Sequence, residues 1–131
     1  MSGLRIIHTD RAPSHTGPVP QAVEVGGWVH VSALFGVDPA TRELAGDFRG
    51  EAEQLFTNLE AILSAAGASL NDVVRVGIVL RNLQRDRPVL NEVWQRRFGE
   101  HTPARSAIEA SDFGRAGEGA RVMIEVSAYI G

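Results

Sequence analysis

The strongest constraint on the fold lies near the end of the chain. From Arg121 to Ile130 two kinds of residue alternate. Val122, Ile124, Val126, Ala128 and Ile130 fall on one side, and Met123, Glu125, Ser127 and Tyr129 on the other. Successive side chains of a strand point to opposite faces. This segment therefore predicts a strand whose purely apolar face must be covered by a second layer. Two helical segments are available to cover it. Phe48, Ala52, Leu55, Phe56, Leu59, Ile62, Leu63 and Ala66 recur at three and four residues, one stripe of an amphipathic helix of about five turns. Gly67 is placed to end it. Pro88 predicts the first turn of a second helix, with Val89, Leu90, Val93, Trp94 and Phe98 as its stripe.

The remaining strands follow from shorter signals. Leu4 to His8 reads as an edge strand. Ala22 to Ser32 reads as a hairpin turning at Gly26-Gly27. Between them Ala12 to Pro20 carries three prolines and reads as an irregular loop. Val73 to Leu80 is nearly continuous and β-branched, the pattern of a central strand buried on both faces. In Arg105 to Ala110, Arg105, Ala107 and Glu109 share one face, leaving Ser106 for the helix-facing side. The order is β-β-β-α-β-α-β-β. It predicts an α/β (α+β) domain over residues 1–131: a mixed six-stranded sheet with both helices on one face. The other face would carry Met123, Tyr129, Trp28 or Val29, and Arg105. It is too apolar for plain solvent surface and predicts an oligomer interface.

Composition removes several classes of function. There is no cysteine, hence no disulfide, thiolate nucleophile or thiolate metal site, which is compatible with a cytoplasmic protein. The four histidines have no helical i, i+4 pairing, so no metal site is expected. Thirteen basic against 16 acidic residues, a net charge of -3, argue against nucleic acid as a partner. The arginines at 81, 85, 87, 96 and 97 read as a solvated face of the second helix. No apolar run reaches the roughly 18 residues of a membrane span. The N-terminus lacks the apolar core of a secretory signal.

The sharpest motif is Thr102-Pro103-Ala104-Arg105-Ser106-Ala107-Ile108-Glu109. It sets an arginine at the start of a strand, just after a proline turn. A guanidinium fork held by rigid backbone matches a carboxylate bidentately. That carboxylate belongs either to a ligand or to the sheet itself, with Glu109 and Glu125 as the internal candidates.

With these residues the chain resembles the Rid (YjgF) family of enamine/imine deaminases. The resemblance runs through Gly17-Pro18, Val29-His30-Val31-Ser32, Asp38-Pro39 and Asn58-Leu59. It continues through Ala65-Ala66-Gly67, Asp72-Val73-Val74, Asn91, Pro103-Ala104-Arg105-Ser106 and Val122-Met123-Ile124-Glu125-Val126. It implies a chorismate-mutase-like fold assembled as a homotrimer, with sites in clefts between subunits. Arg105 would grip the carboxylate of a small imine or enamine, the backbone at Ala107 would help to hold it, and Asn91 would shape the cleft. The products would be a 2-keto acid and ammonia, with no metal or cofactor.

The chain departs from the family pattern at three positions that line this cleft. Val19 stands for a tyrosine, Ala33 for a glycine, and Met123 for the glutamate that positions water. A thioether cannot orient water as a carboxylate does, and general acid–base help is worth about 10²–10⁴-fold. Glu125, about 7 Å along the same strand face, is the nearest substitute on that strand. The three replacements predict a bulkier or more apolar substrate than 2-aminoacrylate. The other reading is a trimeric binder of a small carboxylate metabolite that no longer hydrolyses it.

Overall fold

The computed structural model describes residues 3–15 and 17–131; Met1, Ser2, and Thr16 of the proline-rich loop lie outside the described residues. The elements follow the predicted order: β1 (Arg5–Ile7), β2 (Ala22–Val25), β3 (Trp28–Phe35), α1 (Phe48–Ala65), β4 (Val73–Leu80), α2 (Leu83–Phe98), β5 (Ala104–Glu109) and β6 (Val122–Tyr129). They build one mixed sheet ordered β1-β2-β3-β6-β4-β5. β4 and β5 pair in parallel, while the β1–β2, β2–β3, β3–β6 and β4–β6 pairs are antiparallel. A parallel pair needs a long crossover, and α2 supplies it.

Both helices cover the same face. α1 packs against β3, and α2 against β4 and β5. Val122, Ile124, Val126 and Ala128 are buried beneath them with Val29, Val31, Val76 and Ile78. Local chemistry fixes the ends of the helices. Asp47 caps α1 by accepting from the Gly50 N–H at 2.9 Å. Gly67 leaves α1 at φ 82°, and the Gly67 and Ala68 N–H groups donate back to Ser64 and Leu63. The hairpin turns at Gly26 and Gly27, both at positive φ.

Four expectations need correction. α2 begins at Leu83, capped by Asn82, so Pro88 lies in its second turn and not its first. The backbone bond that Pro88 cannot make falls on an exposed side of the helix. β6 ends at Tyr129, leaving Ile130 outside the apolar face and partly exposed. β4 is interior to the sheet but is buried on its helix-facing side only; Val74 and Arg75 are exposed. The fourth concerns β5. Its parallel register sets Arg105 opposite Val76 and Ala107 opposite Ile78, both buried under the helices. Arg105 therefore faces α2, and Ser106 lies on the open face, where it accepts from Arg75 at 3.1 Å.

Two polar residues inside the apolar stripe of α1 tie the sheet to it. Glu51 is fully buried and accepts from the Arg121 and Val122 N–H groups and from Arg121 Nη1, at 2.7, 3.3 and 2.9 Å. Asn58, also fully buried, donates to the Phe35 and Val37 carbonyls at 3.0 and 2.8 Å. The end of β3 and the start of β6 are thus clamped to one helix.

Candidate functional site

Arg105 sits on the edge strand β5, half-buried beneath α2. Its Nη2 donates to Asn91 Oδ1 at 2.6 Å, and its guanidinium lies 4.9 Å from the centre of the Trp94 ring. Asn91 and Trp94 are three residues apart on α2, so one helix face presents both. The ring is fixed in turn by tilted packing on Phe98 and edge packing on Phe56. A cation on a ring face gains about 0.5–1 kcal/mol when exposed, and this contact also restricts the rotamer. Burial, then the nearby charge of Arg87, pull the Arg105 pKa below the ordinary guanidinium value. The group remains a cation at neutral pH.

Arg105 has no carboxylate partner among the described residues. The two internal candidates are engaged or out of reach. Glu109 accepts from the Leu83 N–H at 2.8 Å, at the start of α2. Glu125 pairs in register with Gly77 on the open face, the opposite side of the sheet. A rigidly held cation with donors to spare and no internal anion is equipped to take an external one. Ala107 follows on the same face as Arg105 and packs against the core.

The other candidates lie elsewhere in the chain. Met123 is on the open face of β6, in register with Phe35 and Val79. Ala33 is on β3, separated from β5 by β6 and β4, roughly 14 Å at the usual strand spacing. It lines a cavity of about 640 Å³ with Asp10, His15, Phe35, Asp38, Arg42 and Arg115. Arg42 enters that cavity's rim with φ 64°, a left-handed conformation unusual for an arginine. Val19 lies exposed in the loop before β2. One chain therefore gathers Arg105, Asn91 and Ala107, and leaves Val19, Ala33 and Met123 apart from them.

One residue with no signal in the sequence pattern, Gln21, and the Ser32 that precedes Ala33 shape this second group. Gln21 is buried, and its amide bonds the backbone of Thr9, Ala12 and Pro13 at 2.8–3.1 Å, which pins the proline-rich loop. Ser32 Oγ donates to the Pro20 carbonyl at 2.8 Å. His30 stacks on Trp28 and meets Ser127 at 2.9 Å on the open face. Among the described residues no group of three or more His, Cys, Asp or Glu side chains is placed to hold a metal ion. No helix among them is long and apolar enough to cross a membrane.

A family model described as Endoribonuclease L-PSP matches residues 9–130. The chain is 42% identical over 126 residues to the 2-iminobutanoate/2-iminopropanoate deaminase of Dermatophagoides farinae, with 95% of each chain covered. It is 43% identical over 107 residues to a RutC family protein of Pyrococcus abyssi, covering 81% of this chain and 84% of that one. Among solved structures, RidA from an Antarctic Psychrobacter matches with a TM-score of 0.89 and 43% identity, covering 96% of this chain and 99% of that one. E. coli TdcF with bound serine matches with a TM-score of 0.88 and 32% identity, covering 97% and 98%.

Proposed function

Because the chain belongs to the Rid (YjgF) family, whose members include imine deaminases, we propose that it hydrolyses a small imine or enamine carboxylic acid to a 2-keto acid and ammonia. The observation that carries this reading is Arg105: held by Asn91 and Trp94, and lacking an internal carboxylate among the described residues. It would grip the substrate carboxylate and hold the imine carbon in the cleft. Water adds its oxygen to that carbon to give a carbinolamine. The C–N bond then breaks, the nitrogen leaves as ammonia, and the second water proton completes the balance. Nothing is oxidised or reduced, so the step calls for no oxidant or reductant. Imines hydrolyse readily, and orientation of a bound one supplies rate without a dedicated base. This suits a site with Met123 in the place of the family's glutamate.

We place the cleft between copies of the chain in a homotrimer. Arg105, Ala107 and Asn91 of one copy would face Val19, Ala33 and Met123 of the next. The support is the separation of these two groups within one copy, and an open sheet face bearing Trp28, Ile108 and Tyr129 at 38, 59 and 44% exposure. Glu125, on that open face with His30, Arg75 and Ser127, is assigned to the interface and not to acid–base work. The serine held by TdcF, an amino acid, carries the kind of carboxylate assigned to Arg105. RNA is the poorer partner for a chain of net charge -3. The absence of cysteine is in keeping with a cytoplasmic setting.

The test is competition with semicarbazide for imines released by an amino-acid oxidase, with wild type beside Arg105→Ala. Wild type should suppress semicarbazone formation and the variant should not. Failure of wild type on every imine would leave the carboxylate-binding reading in its place.

A further inference from the structure

Of the four arginines on α2, three are ion-paired: Arg85 with Asp86, Arg96 with Glu53, and Arg97 with Glu53 and Glu60. Arg87 is exposed and has no carboxylate partner among the described residues. The acids nearest it along the chain are occupied. Asp86 takes Arg85 through both oxygens at 3.0 Å, and Glu92 takes Arg49 at 3.1 Å. Across the crossover, Glu109 accepts the Leu83 N–H at 2.8 Å.

Arg87 instead stands beside another cation. Arg87, Asn91 and Trp94 are spaced i, i+4, i+7 and so share one face of α2. Asn91 and Trp94 both touch Arg105. The charge of Arg87 is felt at Arg105, where it acts with burial to lower the pKa. Two guanidiniums on one rim with no acid between them repel, and a ligand with two anionic groups would relieve both.

We infer that Arg87 is a specificity-determining residue, binding the distal carboxylate of a dicarboxylic imine while Arg105 binds the carboxylate beside the imine carbon. The inference rests on the deaminase reading above and refines its substrate class. The apolar side chains at Val19, Ala33 and Met123 would then line the hydrocarbon between the two charges. A polyanionic backbone is the poorer fit, because the other α2 arginines are neutralised by protein acids.

The test compares 2-iminoglutarate with 2-iminobutanoate, each released in situ by an amino-acid oxidase and trapped by semicarbazide. Wild type should favour 2-iminoglutarate in kcat/KM by about tenfold, the scale of one charge-assisted contact. Arg87→Gln should erase that ratio, Arg87→Lys should restore most of it, and added salt should shrink it. No preference in wild type, or a preference that survives Arg87→Gln, would overturn the assignment; the first result would place an acid of a neighbouring copy on Arg87, and the second would give the distal carboxylate to another group. If wild type hydrolyses neither imine, the deaminase reading fails on its own, and calorimetry with 2-oxoglutarate and 2-oxobutanoate decides this one. Tighter binding of 2-oxoglutarate that is lost in Arg87→Gln supports it. Equal affinities, or no binding of either, overturn it.

Discussion

Arg121 and Arg105 are both arginines set where a strand meets a helix, and they are held in opposite ways. Arg121 is saturated by protein acceptors: Glu51 Oε1 at 2.9 Å, the Ala45 carbonyl at 3.2 Å and the Gly46 carbonyl at 3.1 Å. Its own N–H meets the other oxygen of Glu51. Arg105 has one amide oxygen and a ring face, neither of which cancels its charge. A cation whose donors are spent on buried acceptors holds the fold. A cation oriented by neutral groups keeps its charge for something else. The partners, more than the residue type or its burial, separate the two roles.

The comparison breaks first at the clamp. Glu51 is fully buried, and removing one member of a buried ion pair costs about 3–5 kcal/mol. Glu51→Ala should therefore lower the unfolding free energy by about that much in a urea titration. The change also frees the Arg121 and Val122 N–H groups, and it opens space beside Gly36, whose backbone lies against Glu51. A loss under about 1 kcal/mol would mean that the clamp is ornamental and that Arg121 resembles Arg105 after all. Arg105→Ala should do the reverse. Its cost should fall on kcat/KM for the imine, about a hundredfold for loss of a charge-assisted carboxylate contact, with the melting temperature nearly unchanged. If it melts like Glu51→Ala, Arg105 is structural.

How far these two arginines could be told apart in the sequence depends on the range of the signal. The strand alternation of Val122–Tyr129 and the stripe of α1 are local patterns, and they carried the element order and the single helical layer. Pro103 and the following strand made Arg105 visible as a positioned cation. Its face was not visible. Arg105, Ala107 and Glu109 carry two charges against the single hydroxyl of Ser106, Ile108 and Ala110, so polarity alone turns the charged set away from the helices, and an error of one residue turns every side chain over. The parallel register with β4, which puts Arg105 opposite Val76, settles it. Glu51 and Asn58 stand seven residues apart within the apolar stripe. Their partners, Arg121 and the Phe35 and Val37 carbonyls, are fixed only by the tertiary fold. Met123, Ala33 and Val19 are proposed for the site through the family resemblance alone, since no property of one copy brings them to Arg105.

Exchanging the roles is a sharper trial than deleting either residue. Asn91→Asp replaces the neutral acceptor of Arg105 with a carboxylate of the same shape, at a contact of 2.6 Å. The variant gives Arg105 the kind of partner that Arg121 already has. It should raise KM by about tenfold or more, since the internal acid competes with the substrate carboxylate, while leaving the fold as stable as wild type or slightly more so. An unchanged KM would show that the charge of Arg105 is not what the ligand uses. Met123→Glu should move kcat by less than about tenfold, because a chain that hydrolyses by orientation has no vacancy for the family's base. A gain of a hundredfold or more from near-zero activity would instead identify a binder that had lost its catalysis.

The smallest effect expected is one of pH, and its sign separates wild type from the exchanged variant. Burial and the charge of Arg87 lower the Arg105 pKa, yet a guanidinium stays protonated far above neutrality. Affinity of wild type for 2-oxobutanoate, measured by calorimetry, should thus be flat from about pH 6 to about pH 9. In Asn91→Asp the introduced carboxylate has a folded-state pKa depressed by Arg105, below the usual value of about 3.9. Its ion pair contributes stability above that usual value and loses it as the pH falls through the depressed one. Arg105 is freed for the ligand only over that same acid interval. Affinity in the variant should therefore be weak at neutral pH and should recover toward that of wild type on acidification. Recovery near neutral pH would point to a histidine in control of the site, and no recovery at all would mean that the aspartate distorts the cleft and does not simply occupy its arginine.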